Sequence, residues 1–422
     1  MLDVMMNDIL GTPAILVGLF AFVGLLIQKK SASTVLSGTL KTIMGFVILG
    51  AGAAVLIGSL THFSKMFDVA FNVQGVIPNN EAIVAAAQTN FGTSTAMIMV
   101  FGMVMNLLLA RFTPLKYIFL TGHHTLFMAC LIAASLSVGG MSGVPLIIVG
   151  SILLGICMVV FPAILQPTVR QITGSDDFAV GHFGSIGYYV SAKIGKLFGN
   201  KAHSTEAIQV PKSLGFLRDT SVAVSLTMSI FFIIVAMFAG QSYIEKELSG
   251  GSNFIVFAII QAITFAAGVY IILAGVRMLI AEIIPAFKGI ADKLVPKAKP
   301  ALDCPTIFPF APNAVIIGFL FSFFAGLLSM FALPLIGLKV IVPGLVPHFF
   351  TGAAAGVFGN ATGGRMGAMA GAFANGLIIS FIPAILLIFM GDIGYEGTTF
   401  GDSDFGVVGI LIINILKLFG AV

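Results

Sequence analysis

Long apolar runs broken by short polar stretches dominate the chain. They fall near residues 10–27, 42–60, 82–109, 117–137, 144–165, 220–240, 253–276, 313–331, 335–350, 366–390 and 405–420. A helix that crosses the hydrocarbon core needs about 20 mainly apolar residues. The pattern therefore predicts an all-α polytopic membrane protein with about eleven transmembrane helices, two or three of them too short or too broken to be simple spans. The first run reads as a retained span and not as a cleaved leader, because Asp3 and Asp8 precede it and basic residues follow it.

Composition agrees with that class. Of 422 residues, 58% are hydrophobic and 9% charged, and the mean hydropathy is +1.09. Soluble domains carry about 25% charged residues. The 39 Phe against 6 Tyr and no Trp suit surfaces that face lipid tails. With 21 Lys+Arg against 17 Asp+Glu and no arginine-rich stretch, nucleic-acid binding is excluded. Cys130, Cys157 and Cys304 are widely spaced and form neither a disulfide frame nor a zinc motif.

Basic residues are retained in cytoplasmic loops. With the N-terminus outside, the inner loops collect Lys29, Lys30, Lys41, Arg111, Lys116, Arg170, Lys193, Lys196, Lys201, Lys212 and Arg218. They also collect Arg277, Lys288, Lys293, Lys297, Lys299, Arg365 and Lys417, leaving Lys65, Lys246 and Lys339 outside. The outer loops then hold Glu245, Glu247, Asp392, Glu396, Asp402 and Asp404. The predicted orientation is N-terminus outside, C-terminus cytoplasmic.

Residues 199–219 read as a polar loop. In 277–299, Leu279, Ile283, Phe287, Ile290 and Leu294 recur at spacings of three and four. That pattern predicts an amphipathic helix on the inner membrane surface, bent near Pro285, serving either as a partner contact or as a connecting arm. A weak repeat links 91–115 with 310–335: each has a Phe, a small polar break, Ala-x-Ile-x-x-Phe and a final Pro-Leu. An odd number of spans per half would invert the second copy, as in alternating-access carriers.

Ionisable side chains in spanning segments are costly and tend to line polar cavities. The stretch 79–96, with Glu81, Gln88 and Asn90, reads as a re-entrant or broken helix, or else as an outer loop. In LTGHHTLF (120–127), His123 and His124 follow a Thr-Gly break, and adjacent helical residues diverge enough that one is expected to face a cavity. Residues 176–199 form a candidate re-entrant hairpin with His182 at its tip. Residues 343–368, with His348, Asn360, Thr362 and Arg365, form a second, or else a close-packed helix pair. In 302–315, Pro305, Pro309 and Pro312 leave Asp303 in irregular chain, where it either accepts sugar hydroxyls or is a solvated loop carboxylate. There is no GxxxxGK[ST], GxSxG or HExxH, so the chain carries no catalytic chemistry of its own, and no cofactor or metal site is expected.

LSGTLKTIMGF (36–46), LTGH (120–123), FAVGH (178–182), GVRMLIAE with the following arm (275–294), DCPTIFPFAPNAV (303–315) and VPGLVPHFF…GVFGNATGGR (342–365) occur in one order over nearly the whole chain. In these stretches the chain resembles the membrane-embedded EIIC component of the ascorbate-type bacterial phosphotransferase system, within the ascorbate/galactitol superfamily. The resemblance implies a homodimer in the bacterial inner membrane whose subunits combine a scaffold (V-motif) domain with a core domain containing two re-entrant hairpins. It places scaffold helices in 1–78 and 201–300 (with the cytoplasmic arm), core halves in 79–200 and 301–390, and a C-terminal scaffold helix in 391–422. The core is expected to slide elevator-fashion, moving ascorbate or a related sugar or alditol inward. A soluble EIIB then phosphorylates it, supplied by EIIA, HPr and enzyme I.

The resemblance carries His123, His182 and Asp303 over as substrate contacts. At five other contact positions the chain departs: Phe127 and Phe183 stand where the family has glutamine, Asn80-Glu81 where it has Thr-Tyr, and Ala53 where it has serine. A missing hydrogen-bond partner in a buried site costs about 1–3 kcal/mol, so these departures bear on the substrate. The alternative function is an ion-coupled secondary transporter of a small polar solute, with Asp303 or Glu81 as the ion site.

Overall fold

The computed structural model describes residues 12–72, 75–208, 220–390 and 398–418. The chain opens with α1 (Pro13–Ile27) and α2 (Ala32–Phe71). Pro13 suits a first turn, whose amide has no helical acceptor. The Ser31 side chain caps α2 by accepting from the Thr34 amide, and Asn72 in the left-handed region ends it. Then follow β1 (Ile77–Pro78), α3 (Asn80–Phe112), β2 (Tyr117–Phe119), α4 (Gly122–Val138), α5 (Gly143–Thr173), β3 (Ala179–Val180) and α6 (Ser185–Phe198). The second half contains α7 (Thr220–Ala239), α8 (Gln241–Tyr243) running into a π turn, α9 (Phe254–Lys293), β4 (Lys299–Leu302), α10 (Pro312–Leu335), α11 (Leu345–Met390), β5 (Thr398–Thr399) and α12 (Ser403–Leu418).

Among the described residues, six helices are long and apolar enough to cross a membrane, or seven if the pair bent by 97° after α7 counts as one span. Leu36, Val47, Phe112, Ile148, Ile230 and Phe331 are exposed on the outside, an arrangement suited to lipid and not to water. The protein is a multi-pass membrane protein.

Several expected elements take another form. The stretch 335–350 is no span of its own: α10 ends at Leu335, and the chain reaches α11 through a loop in which Val76 bridges Ile341. All of the polar run 79–96 except Asn79 lies within the continuous helix α3. The arm at 277–293 is the end of α9, a helix of 40 residues, and Leu279 and Ile283 are buried. There α1 lies close by, with Gln28 Nε2 donating to the carbonyls of Pro285 and Ala286 at 3.0 and 3.2 Å. Leu279 and Ile283 of the apolar stripe thus pack against protein, whereas Leu294 is exposed.

Helices α2 and α9 pack backbone to backbone. A Cβ on Gly45 would meet the Leu279 amide nitrogen at 2.6 Å, and one on Gly52 the Ile272 nitrogen at 2.6 Å. Small residues at a membrane helix crossing permit this approach. Helices α1 and α7 pack on the same pair, whereas α3, α4 and α5 pack together and α6, α10 and α12 gather on α11.

Helix α11 is two helices folded at Gly364, where φ is 60° and ψ −148°. Gly359 lies against Gly367, although residues eight apart in a straight helix are separated by about 12 Å. The chain therefore reverses at this point, and α6 packs against the reversal through Gly195, which touches Gly359. Asn360 accepts from the Thr205 amide at 2.9 Å and Arg365 donates to the carbonyls of Ser204 and Ala207 at 3.3 Å. These two polar residues tie down the segment after α6.

Candidate functional site

A small parallel sheet builds the site. Its strand order is β2-β4-β3, with Phe119 and Ala179 both opposite Ala301. Each strand runs directly into a functional candidate: β2 leads to His123, β3 to His182 and β4 to Asp303. The sheet continues as hydrogen bonds beyond its last residues, from Leu120 N to Ala301 O at 2.9 Å and from Gly181 N to Leu302 O at 2.6 Å. The Thr121 hydroxyl also donates to Gly181 O at 2.5 Å. Three segments separated by up to 180 positions are thus fixed in register, with their reactive side chains at one edge.

At that edge His123 Nε2 lies 3.4 Å from one Asp303 oxygen and His182 Nε2 3.9 Å from the other. Asp303 also caps the 3₁₀ turn Cys304–Phe310 by accepting from the Cys304 amide at 2.7 Å. Both gaps exceed a direct N–H···O bond of about 2.9 Å, leaving acceptor capacity on the carboxylate.

The His182 tautomer follows from its partners. The Gly184 amide, which can only donate, points at Nδ1 at 3.0 Å, and the Tyr188 hydroxyl lies 2.9 Å from the same atom. Nδ1 is therefore an acceptor, the ring is neutral, and its proton sits on Nε2 facing Asp303. The turn that carries His182 is clamped from elsewhere. Asp404 accepts from the amides of Ser185 and Ile186 at 2.8 Å each, and its own amide donates to Phe183 O at 3.0 Å. Asp404 thus caps α6 from α12, meeting the positive end of the helix.

These groups face a cavity of about 620 Å³ lined by His123, His124, His182, Asp303, Asn80, Ala53, Phe127 and Asp402, among others. Both adjacent histidines reach it, not one: they occupy the first turn of α4, and the cavity wraps the helix end. Their ring centroids are 4.7 Å apart. Phe183 does not line the cavity. It is fully buried and stacks on Phe119 at 4.9 Å, behind His124. The Glu81 side chain lies outside the described residues. His348 is a packing residue, 2.9 Å from the Ser322 hydroxyl of α10.

Asp402 was missed by sequence reasoning, which set it with Asp404 in an outer loop; both are buried. Asp402 accepts from Asn80 Nδ2 at 2.8 Å, while Asn80 Oδ1 accepts from the Gly401 amide at 2.8 Å. The available signal was the density of polar residues in GDSD directly ahead of an apolar run.

Groups of histidine, aspartate and cysteine atoms lie within 4.8 Å of one another here, two of them including His182. A metal-bound imidazole donates through its other nitrogen, but Nδ1 of His182 accepts. The donor chemistry at His182 suits hydroxyl groups, not a metal.

At the far end of the sheet Asp176 binds Arg170 Nε at 2.7 Å, Lys299 Nζ at 2.5 Å and Gln166 Nε2 at 2.8 Å. Partial burial pushes its carboxyl up, but the hydrogen bonds from Arg170, Lys299 and Gln166 outweigh this and hold it down at about 2.

A cavity with a cluster of polar groups in an otherwise apolar lining, inside a bundle of helices long and apolar enough to cross a membrane, suits a membrane permease. The chain belongs to the EIIC-GAT family of sugar-specific permease components of the phosphotransferase system (PTS), whose pattern matches residues 8–404. It is also similar to the ascorbate-specific PTS system EIIC component of Mycoplasma pneumoniae. The two are 28% identical over 447 aligned positions, covering 92% of this chain and 66% of the relative's length.

Proposed function

We propose that the chain is the sugar-transporting EIIC component of a phosphotransferase system, taking up ascorbate or a related sugar or alditol for phosphorylation by a separate EIIB. The observation that carries this reading is the convergence of His123, His182 and Asp303 at one sheet edge, facing a cavity of about 620 Å³. A carboxylate acceptor beside an N–H donor matches the paired hydroxyls of a polyol. Asn80, Phe127 and Ala53 complete the wall, with Glu81 next in sequence and Phe183 supporting His124 from behind.

In this reading the inner membrane holds the protein as a homodimer with its N-terminus outside and C-terminus in the cytoplasm. Helices α1, α2, α7 and α9 form the scaffold, fastened by the glycine contacts of α2 and α9. The remaining helices form the core. The turn before α6 and the reversal at Gly364 are the tips of two re-entrant hairpins from inverted halves. The resemblance makes 391–422 a C-terminal scaffold helix, but because α12 packs on α4, α6 and α11 this reading counts it with the core. The core slides elevator-fashion and presents substrate to phospho-EIIB, which EIIA, HPr and enzyme I recharge.

Inside-out and right-side-out vesicles containing the protein test the reading. With phosphoenolpyruvate, the soluble phosphotransferase proteins and radiolabelled substrate, the expected result is phosphorylated product that depends on EIIB. Accumulation of free substrate driven by an imposed ion gradient without EIIB would instead establish an ion-coupled secondary transporter.

A further inference from the structure

His123 and His182 face Asp303 in the cavity, and a third imidazole stands among them with no role so far. His124 sits in the first turn of α4, is 4% exposed and lines the same cavity. Its ring centroid is 3.8 Å from that of His182 and 4.7 Å from that of His123. One of its nitrogens lies within 4.8 Å of both a His123 nitrogen and an Asp303 oxygen. The Phe405 ring lies nearly parallel to it at 5.8 Å, and Phe127 and Phe183 stand at 6.0 Å each. The ring is thus held by aromatic side chains that have no polar atom to offer it.

Hydrogen bonding sets His124 apart from two other buried histidines. Nδ1 of His182 accepts from the Gly184 amide at 3.0 Å and lies 2.9 Å from the Tyr188 hydroxyl. Nδ1 of His348 lies 2.9 Å from the Ser322 hydroxyl. Nδ1 of His124 is buried without a partner, and no hydrogen bond reaches its Nε2 either, among the described residues. Burying a polar group unpaired is costly, and native folds leave few such groups without a reason. With Nδ1 enclosed, Nε2 is the nitrogen left for a guest in the cavity.

We infer that His124 is a further substrate-binding residue, which hydrogen-bonds through Nε2 to a hydroxyl of the bound sugar. The inference rests on the cavity being the carrying site of a sugar permease. A hydroxyl is the matching group because it both donates and accepts, and so satisfies an imidazole nitrogen in either tautomer. Of the three α4 residues on the cavity, Phe127 has no polar side-chain atom, so His123 and His124 supply the polar contacts of that helix end. His124 adds one hydroxyl to the set that a guest must present to Asp303, His123 and His182.

Calorimetric titration of the purified full-length protein in lipid nanodiscs tests this. The probes are ascorbate, pentitols and hexitols, followed by the monodeoxy analogues of whichever binds most tightly. In His124→Leu, similar in size but without a polar atom, affinity should fall about tenfold, as for one hydrogen bond lost in a buried site. That loss should vanish for one monodeoxy analogue, which lacks the hydroxyl His124 holds, and persist for the others. His124→Gln, whose amide extends about as far as Nε2, should restore most of the affinity. Unchanged affinity in His124→Leu, an equal loss for every analogue, or binding of no probe by the wild type overturns the inference. Should His124→Leu fail to fold, His124→Phe is read in the same way. Phosphorylation that depends on EIIB, together with unchanged affinity in the variant, would sink the role of His124 and leave the phosphotransferase reading standing. The expected analogue pattern without phosphorylation in the presence of EIIB would refute that reading and leave His124 as a ligand.

Discussion

His182 directs Nε2 at the Asp303 carboxylate across 3.9 Å while its Nδ1 lies 2.9 Å from the Tyr188 hydroxyl. The hydroxyl and the Gly184 amide together fix which nitrogen carries the proton, so the donor facing the cavity is permanently available. Tyr188→Phe removes one of the two partners. Substrate affinity should fall about threefold to tenfold, the worth of one hydrogen bond of ~1 kcal/mol. Thermal stability should change little, since the ring's stacking on Phe358 remains. Calorimetry and a melting curve separate the two effects; an unchanged affinity would mean that the Gly184 amide suffices.

Asp303→Asn should abolish uptake while leaving the protein folded. The amide retains an oxygen for the Cys304 cap but places a donor where acceptor capacity is required. Transport in vesicles is the measurement, and wild-type uptake by this variant would remove Asp303 from the site.

Removal of the cap supplied by Asp404 should act on both stability and binding. Asp404→Ala leaves the amides of Ser185 and Ile186 without their acceptor. Lost caps cost about 0.5–2 kcal/mol, and burial of the orphaned amides puts this case at the upper end. The melting temperature should drop, and weaker substrate binding should accompany it because the same turn carries His182.

The reversal in α11 admits only glycine. Gly364 combines φ 60° with ψ −148°, a conformation nearly exclusive to glycine, and a Cβ there would meet the His203 carbonyl oxygen at 2.5 Å. Gly364→Ala should sharply reduce the yield of folded protein, as read by size-exclusion chromatography in detergent. Gly50→Ala is the control, for a Cβ there meets nothing within 4 Å.

Asp176 gives a pH signature. Its folded-state pKa, held down at about 2, lies below the ordinary carboxylate value near 3.9. Its stabilisation is therefore present above about pH 4 and is lost as pH falls toward 2. Asp176→Asn should melt slightly lower than wild type from pH 5 to 8, and the gap should close on acidification below pH 4. Because the carboxylate is half exposed, solvent keeps the effect within about 1 kcal/mol. A gap that widens in acid would contradict the assignment.

The chain's apolar runs made its membrane class legible, because about 20 consecutive apolar residues have few uses in water. Density of glycine around 343–368 pointed to an unusual element there, and a reversal at Gly364 is what the chain forms. His123, His182 and Asp303 stood out because ionisable groups beside apolar runs are costly. Other features were not legible. Asp402 and Asp404 were read as outer-loop residues, since local composition cannot distinguish a carboxylate facing water from one satisfied by Asn80 or by the amides of a distant helix. The resemblance put Phe183 at a substrate-contact position, and its ring is buried on Phe119, because neighbouring positions on a turn diverge.

By itself the sequence determined where chain could remain in a membrane, since hydrophobic transfer depends on composition summed over each run. The tertiary structure alone decided which polar groups meet. Strands of two to four residues have too few positions to leave a periodic signal, yet the hydrogen bonds between β2, β4 and β3 bring three distant segments into register. Those bonds exist only once helices far apart in sequence have packed, so the site's geometry is a property of the assembled fold.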